Sequence, residues 1–150
     1  MRRTFACATA AVALLAAAPA LAETHTVEMY TQGPDGGRYV YAPAFLQVEP
    51  GDTIKFVNAD PGHNAATIDG AVPEGGDTFS GRINEEIEVT LTQEGLYAYK
   101  CTPHYTLGMV GLILVGDEAP NLDAVAEQRY PGRAGRVMAD LIDEARAALE

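Results

Sequence analysis

Two apolar runs and the loop joining them decide the reading of this chain. They are Leu96-Tyr97-Ala98-Tyr99-Lys100-Cys101, then Thr102-Pro103-His104-Tyr105-Thr106-Leu107-Gly108, then Met109-Val110-Gly111-Leu112-Ile113-Leu114-Val115. The first run is rich in aromatic residues, and Gln93-Glu94-Gly95 turns the chain into it. The last is apolar at nearly every position, the pattern of a strand covered on both faces. Upstream, Thr26 to Tyr30, Tyr39 to Val48 and Thr53 to Val57 are rich in β-branched and aromatic residues. Gly33-Pro34-Asp35-Gly36-Gly37 and Pro50-Gly51-Asp52 punctuate them as turns. Ile83 to Thr92 alternates, with Ile87, Val89 and Leu91 on one side and Glu86, Glu88 and Thr90 on the other. Seven or so strands at this spacing predict an all-β chain, folded as an antiparallel sandwich or barrel.

Downstream of the last run the composition changes. Asn121 is placed to cap a short helix through Gln128, and Pro131-Gly132 breaks it. Arg133 to Leu149 follows, with Val137, Leu141, Ala145 and Ala148 at helical spacing and Met138, Ile142 and Leu149 beside them. Residues 119–150 therefore read as a helical extension packed on the sandwich, too short for a second domain.

The beginning of the chain reads differently. Arg2 and Arg3 precede an uncharged run from Phe5 to Ala18, and Ala20-Leu21-Ala22 places small residues where a signal peptidase reads them. The run is shorter than the roughly 20 residues of a spanning helix. Residues 1–22 are expected to be a cleavable signal peptide, by the general or the twin-arginine route, which sends residues 23–150 to the periplasm. Cleavage removes two arginines and no acid, so the net charge moves from −11 to −13. It also removes Cys7 and leaves Cys101 as the sole cysteine. A lone cysteine in an oxidising compartment is paired outside the chain, buried and inert, or holding a metal. The acidity argues against nucleic acid as a partner.

The Cys101–Met109 loop favours the metal. It brings a thiol, an imidazole and a thioether within nine residues. Soft sulfur ligands suit Cu(I), imidazole serves both oxidation states, and two histidines with one cysteine and a weak axial methionine make a blue-copper site. Cys101, His104 and Met109 come from the loop, so a second histidine must come from elsewhere. His63, in the turn Asp60-Pro61-Gly62-His63-Asn64, is favoured over His25, which lies beside the mature terminus.

At this point the chain resembles the pseudoazurins, a cupredoxin family. The resemblance rests on Cys-Thr-Pro-His-Tyr-x-x-Gly-Met at Cys101 to Met109 and on Gly62-His63-Asn64. It extends to Pro50-Gly51-Asp52-Thr53, Arg82-Ile83-Asn84-Glu85, Gly95-Leu96-Tyr97 and Asn121-Leu122-Asp123-Ala124-Val125. It implies an eight-stranded Greek-key cupredoxin sandwich with two C-terminal helices. It also implies one copper ion on His63, Cys101, His104 and Met109, and single-electron shuttling in the periplasm by a monomer rather than an enzyme. By the same resemblance, the Asn64 amide donates to the Cys101 sulfur and its side chain ties the two ligand loops. His104 is the electron port, inside an apolar patch of Pro103, Leu107 and Pro43. The partners implied are a c-type cytochrome and a nitrite reductase or similar reductase, with no membrane involved.

The match departs from the family in charge. Pseudoazurins ring this patch with lysines, whereas this chain has only Lys55 and Lys100, with Gln32, Pro61 and Ser80 where lysine is frequent. Arg82, Arg133 and Arg136 are the candidates to replace them. Two other readings stay open. Multicopper enzymes sharing the sandwich need histidines beyond His25, and a Cys–His nucleophile pair leaves Met109 unexplained. A copper carrier or stress protein without a redox partner fits the same residues.

Overall fold

The computed structural model describes residues 21–150. The export segment, Cys7 included, lies outside the described residues apart from Leu21 and Ala22. Eight strands form two four-stranded sheets. They are β1 (Thr24–Gln32), β2 (Arg38–Ala42), β3 (Phe45–Val48), β4 (Thr53–Asn58), β5 (Ala66–Thr67), β6 (Ile87–Thr90), β7 (Gly95–Lys100) and β8 (Val110–Val115). One sheet runs β2-β1-β4-β6 and the other β3-β8-β7-β5.

The period-2 geometry of β7 and β8 explains both the layering and the site. Tyr97, Tyr99 and Cys101 point between the sheets, with Ile113 and Val115 of β8. Leu96, Ala98, Leu112 and Leu114 point the other way, into a second core. That second core is closed by helices α1 (Leu122–Glu127) and α2 (Ala134–Ala148), which bury Val125, Met138, Leu141 and Ile142 on the outer face of the sheet. Covered on both sides, β8 is wholly buried, as its unbroken apolar run predicts. Ile142 is 4% exposed at this contact. Ile142→Val is expected to lower stability by about 0.5–1.5 kcal/mol, read by denaturant unfolding.

The structure corrects the sequence reading at several points. Tyr39 to Val48 is not one strand. The chain changes sheets at Pro43, so β2 pairs with β1 and β3 with β8. The sheets are mixed rather than antiparallel, because β1 runs parallel to β4 and β3 parallel to β8. Strand β6 covers only the middle of the alternating segment, since Arg82 and Glu85 close a turn ahead of it. Strand β5 gave no sequence signal. Asn121 does not cap α1 with its side chain. Its amide instead bonds the backbone N–H and C=O of Leu96 at 2.9 and 2.8 Å, extending β7 as another strand would. Ala148 is exposed, while Val137 is half-buried.

Candidate metal centre

The site is built where the connections β4–β5 and β7–β8 meet at one end of the sandwich. The β7–β8 loop contains a short 3-10 turn, Thr102–Leu107, with Pro103 at its start and Gly108 ending it at φ +93°. A left-handed residue there suits glycine, and an added Cβ would press on the Arg133 side chain at 3.1 Å. The loop closes on itself. Cys101 N–H donates to Met109 O at 3.0 Å, Met109 N–H to His104 O at 3.2 Å, and Gly108 N–H to Tyr105 O at 3.0 Å.

The β4–β5 loop brings His63 to the same place. Asn64 locks the two loops together: its Nδ2 donates to Gly81 O at 2.9 Å and to Thr102 Oγ1 at 3.1 Å, while its Oδ1 accepts from Thr102 N–H at 2.8 Å. Its backbone N–H also favours the Cys101 thiolate. The side-chain part of the expectation for Asn64, the tie between the two ligand loops, is met. A third loop supports His63, with Asn84 N–H donating to His63 O at 2.7 Å and Gly62 N–H to Asn84 Oδ1 at 2.6 Å.

These loops place the three nearest donor atoms in a triangle. His63 Nδ1 and His104 Nδ1 are 3.2 Å apart, Cys101 Sγ is 3.7 Å from the first and 3.4 Å from the second. His63, Cys101 and Met109 are fully buried, and His104 is half-buried. Burial lowers the pKa of both histidines, with His104 adding to the effect on His63 and Asp60 opposing it, which favours the neutral imidazoles. Burial also raises the Cys101 thiol, opposed by the Asn64 and His104 N–H groups. Neutral imidazole is the form that binds metal, and a bound cation would remove the thiol proton outright.

The donor set fits one soft-to-borderline metal ion. Bonds of about 2.0–2.3 Å to nitrogen and sulfur allow two ligands of one ion to stand no more than about 4.6 Å apart. All three separations are within that limit. His25 does not take part: its Nε2 bonds Asp52 at 2.8 Å, at the start of β1. Among the described residues no other histidine or cysteine joins the cluster.

The strands of the sandwich match a family model described as copper binding proteins of the plastocyanin/azurin family, over residues 27–116. A pseudoazurin of Paracoccus pantotrophus is 49% identical over 128 residues, covering 85% of this chain and 88% of that protein. An alignment that long runs past β8 into the helices. The chain belongs to the pseudoazurin family. A second relative, a pseudoazurin of Methylorubrum extorquens, is 44% identical over 86% of each chain. The solved structure of a pseudoazurin from Sinorhizobium meliltoi superposes with a TM-score of 0.81 at 43% identity, covering 84% of this chain and 98% of that one. Membership of the pseudoazurin family makes this a copper-binding protein of the electron-transfer kind.

Three neighbours of the pseudoazurin site were not legible in the sequence. Thr31 Oγ1 lies 3.0 Å from His63 Nε2. With a metal on Nδ1, the Nε2–H would donate to this hydroxyl, which would hold the ring in its orientation. Tyr39 stacks on His104 with ring centroids 4.2 Å apart and planes at 18°. It does so from a left-handed backbone, φ +56°, a conformation costly for a bulky residue and typical of functional sites. Ile83, on the loop that supports His63, is 54% exposed. The strand periodicity took Ile83 as the start of a strand, and the family motif around it gave it no role at the site.

Proposed function

We propose that this chain is a periplasmic single-electron carrier, holding one copper ion on His63, Cys101, His104 and Met109. The observation that carries this reading is the triangle of two imidazoles and one thiol, all within 4.8 Å of one another. When bound there, copper supplies a one-electron couple between Cu(I) and Cu(II). The residues supply everything else. Cys101 gives the soft thiolate, Met109 a weak thioether, and the imidazoles bind both oxidation states. The closed loop and the Asn64 clamp keep these donors in place through both states, which keeps reorganisation small.

His104 is the electron port in this reading, and its surroundings support docking. Of the three exposed large hydrophobic residues among those described, Leu107 and Ile83 both flank the site. Pro103 is exposed beside His104, and Pro43 is exposed at the crossover.

The bases also gather at this end. Arg38 lies 5.3 Å over the Tyr39 ring that stacks on His104, and Lys100 lies 4.9 Å over Tyr105. Arg82 is exposed next to Ile83. Arg133 N–H donates to Thr106 O at 2.9 Å, which seats that residue against the loop, and Arg136 follows one turn along. Arg38 is a further base at this end that the sequence reading did not anticipate. A collar of bases on a strongly acidic protein favours a partner with an acidic face around its own redox centre, such as a c-type cytochrome or a reductase of the nitrite-reductase kind. A small apolar contact with charged guidance suits brief redox encounters.

Leu107→Glu tests this. Electron transfer from an acidic cytochrome is expected to slow at least ten-fold, with the visible spectrum of the copper form unchanged. Unchanged stopped-flow rates would remove the docking assignment.

A further inference from the structure

At the far end of β1 from the copper loops lies a second polar cluster, around Asp52. Asp52 is 5% exposed, and its carboxylate is crowded with donors. Oδ1 accepts from the backbone N–H of Glu23 at 2.8 Å, and Oδ2 accepts from His25 Nε2 at 2.8 Å and from Glu49 N–H at 3.1 Å. Thr53 N–H returns a bond to Glu23 O at 2.8 Å, so Glu23 is held on both sides. The residue before it is not: Ala22 is exposed, and Leu21 is 87% exposed. The first engaged backbone nitrogen of the domain is thus the one that cutting after Ala22 would release.

We propose that Asp52 is the receptor for the mature N-terminus, binding the α-ammonium group that signal cleavage creates at Glu23. The proposal rests on the reading of residues 1–22 as a cleaved signal. Before cleavage the Glu23 nitrogen offers one amide N–H. After hydrolysis of the Ala22–Glu23 bond it offers a full positive charge and three N–H donors at the same position. A nearly buried carboxylate gains most from such an exchange, because a charge-assisted hydrogen bond is roughly twice as strong as a neutral one. Processing would then add stability to the domain as well as free it. The titratable groups facing the ammonium are Asp52, His25 on β1, Glu49 ahead of the turn, and the carboxylate of Glu23 itself. Lys55, further along β4, is engaged by Glu88 at 3.4 Å.

The sign of the effect follows from these charges. An adjacent carboxylate raises the pKa of an ammonium above its ordinary value of about 7.7–8.0. The added stability is therefore complete below about pH 7.7 and is lost as pH rises through the raised native value. The bonds already present hold the Asp52 carboxyl below the usual range, the Glu23 N–H first and His25 next, which keeps it charged throughout this window.

The test uses the copper-loaded protein as exported and processed in cells. Its partner is a form with Gly-Ser inserted between Ala22 and Glu23, which moves the ammonium two residues away and leaves Asp52 intact. Mass spectrometry first reads the terminus. At pH 7 the α-amine of the natural form is expected to acylate about ten-fold more slowly than that of the inserted form, as a one-unit rise in pKa dictates. Its Tm is expected to be higher at pH 7, with the difference closing toward pH 10. A processed chain beginning at Glu23 with equal acylation rates, or with a Tm difference that ignores pH, overturns the proposal alone. A mature chain beginning elsewhere overturns the signal reading and the proposal together.

Discussion

Cys101→Ser is expected to abolish the intense visible absorption of the copper-loaded protein, not merely weaken it. Serine keeps the size and position of the side chain but offers a hydroxyl, which stays protonated near neutral pH and is a hard donor. Two imidazoles at 3.2 Å remain, enough to hold Cu(II) weakly but without a thiolate to give strong colour. The fold should survive. Residue 101 sits at the end of β7, and the cost is that of one buried hydroxyl, about 1–3 kcal/mol. Visible spectra at equal copper loading, with circular dichroism as the fold control, read the outcome. Colour retained by the serine form would place its source elsewhere.

Asn64→Ala is expected to be among the most damaging substitutions that touch no ligand. It removes three hydrogen bonds and leaves Gly81 O and Thr102 N–H without their partner. Each group left unsatisfied costs up to about 1–3 kcal/mol, less for the part-exposed Thr102 N–H, so the loss should be about 2–4 kcal/mol. For a domain of this size that corresponds to a fall in Tm on the order of 10 °C. The copper site should suffer as well, since Asn64 is the tie between the His63 loop and the Cys101 loop. Copper affinity is expected to fall about 10- to 100-fold, the usual effect of losing such support, measured by chelator competition. Unchanged affinity alongside a lower Tm would mean that the clamp stabilises the fold and does not position the donors.

How much of this was legible depended on whether the signal was local. The four proposed ligands could be read because three share one loop and because only three histidines exist in the chain. The buried character of β8 and the two helices followed from uninterrupted or helical apolar spacing. What failed was non-local. In Tyr39 to Val48 only Pro43 interrupts the run, and a proline marks a break without saying that the chain leaves one sheet for the other, because both halves carry the same strand-forming residues. Parallel pairing of β1 with β4 is set by the sandwich as a whole. Asn121 resembles a helix cap in sequence, yet its amide finds a better use on the edge of β7. Thr31 and Tyr39 reach the site from another sheet, at sequence distances of 32 and 65 residues from the histidines they touch. Their residue types carry no mark of that role. The position of Arg38 was hidden for the same reason, so the chain looked poorer in bases near the port than it is.

The most direct test of the account is an anaerobic redox titration of the copper-loaded protein, followed in the visible. One copper per chain, an intense orange-red absorption, and full reversible bleaching by one electron per chain are the results expected of His63, Cys101, His104 and Met109 around a single ion. A colourless Cu(II) form, a second copper per chain, or colour that one electron does not remove would contradict it.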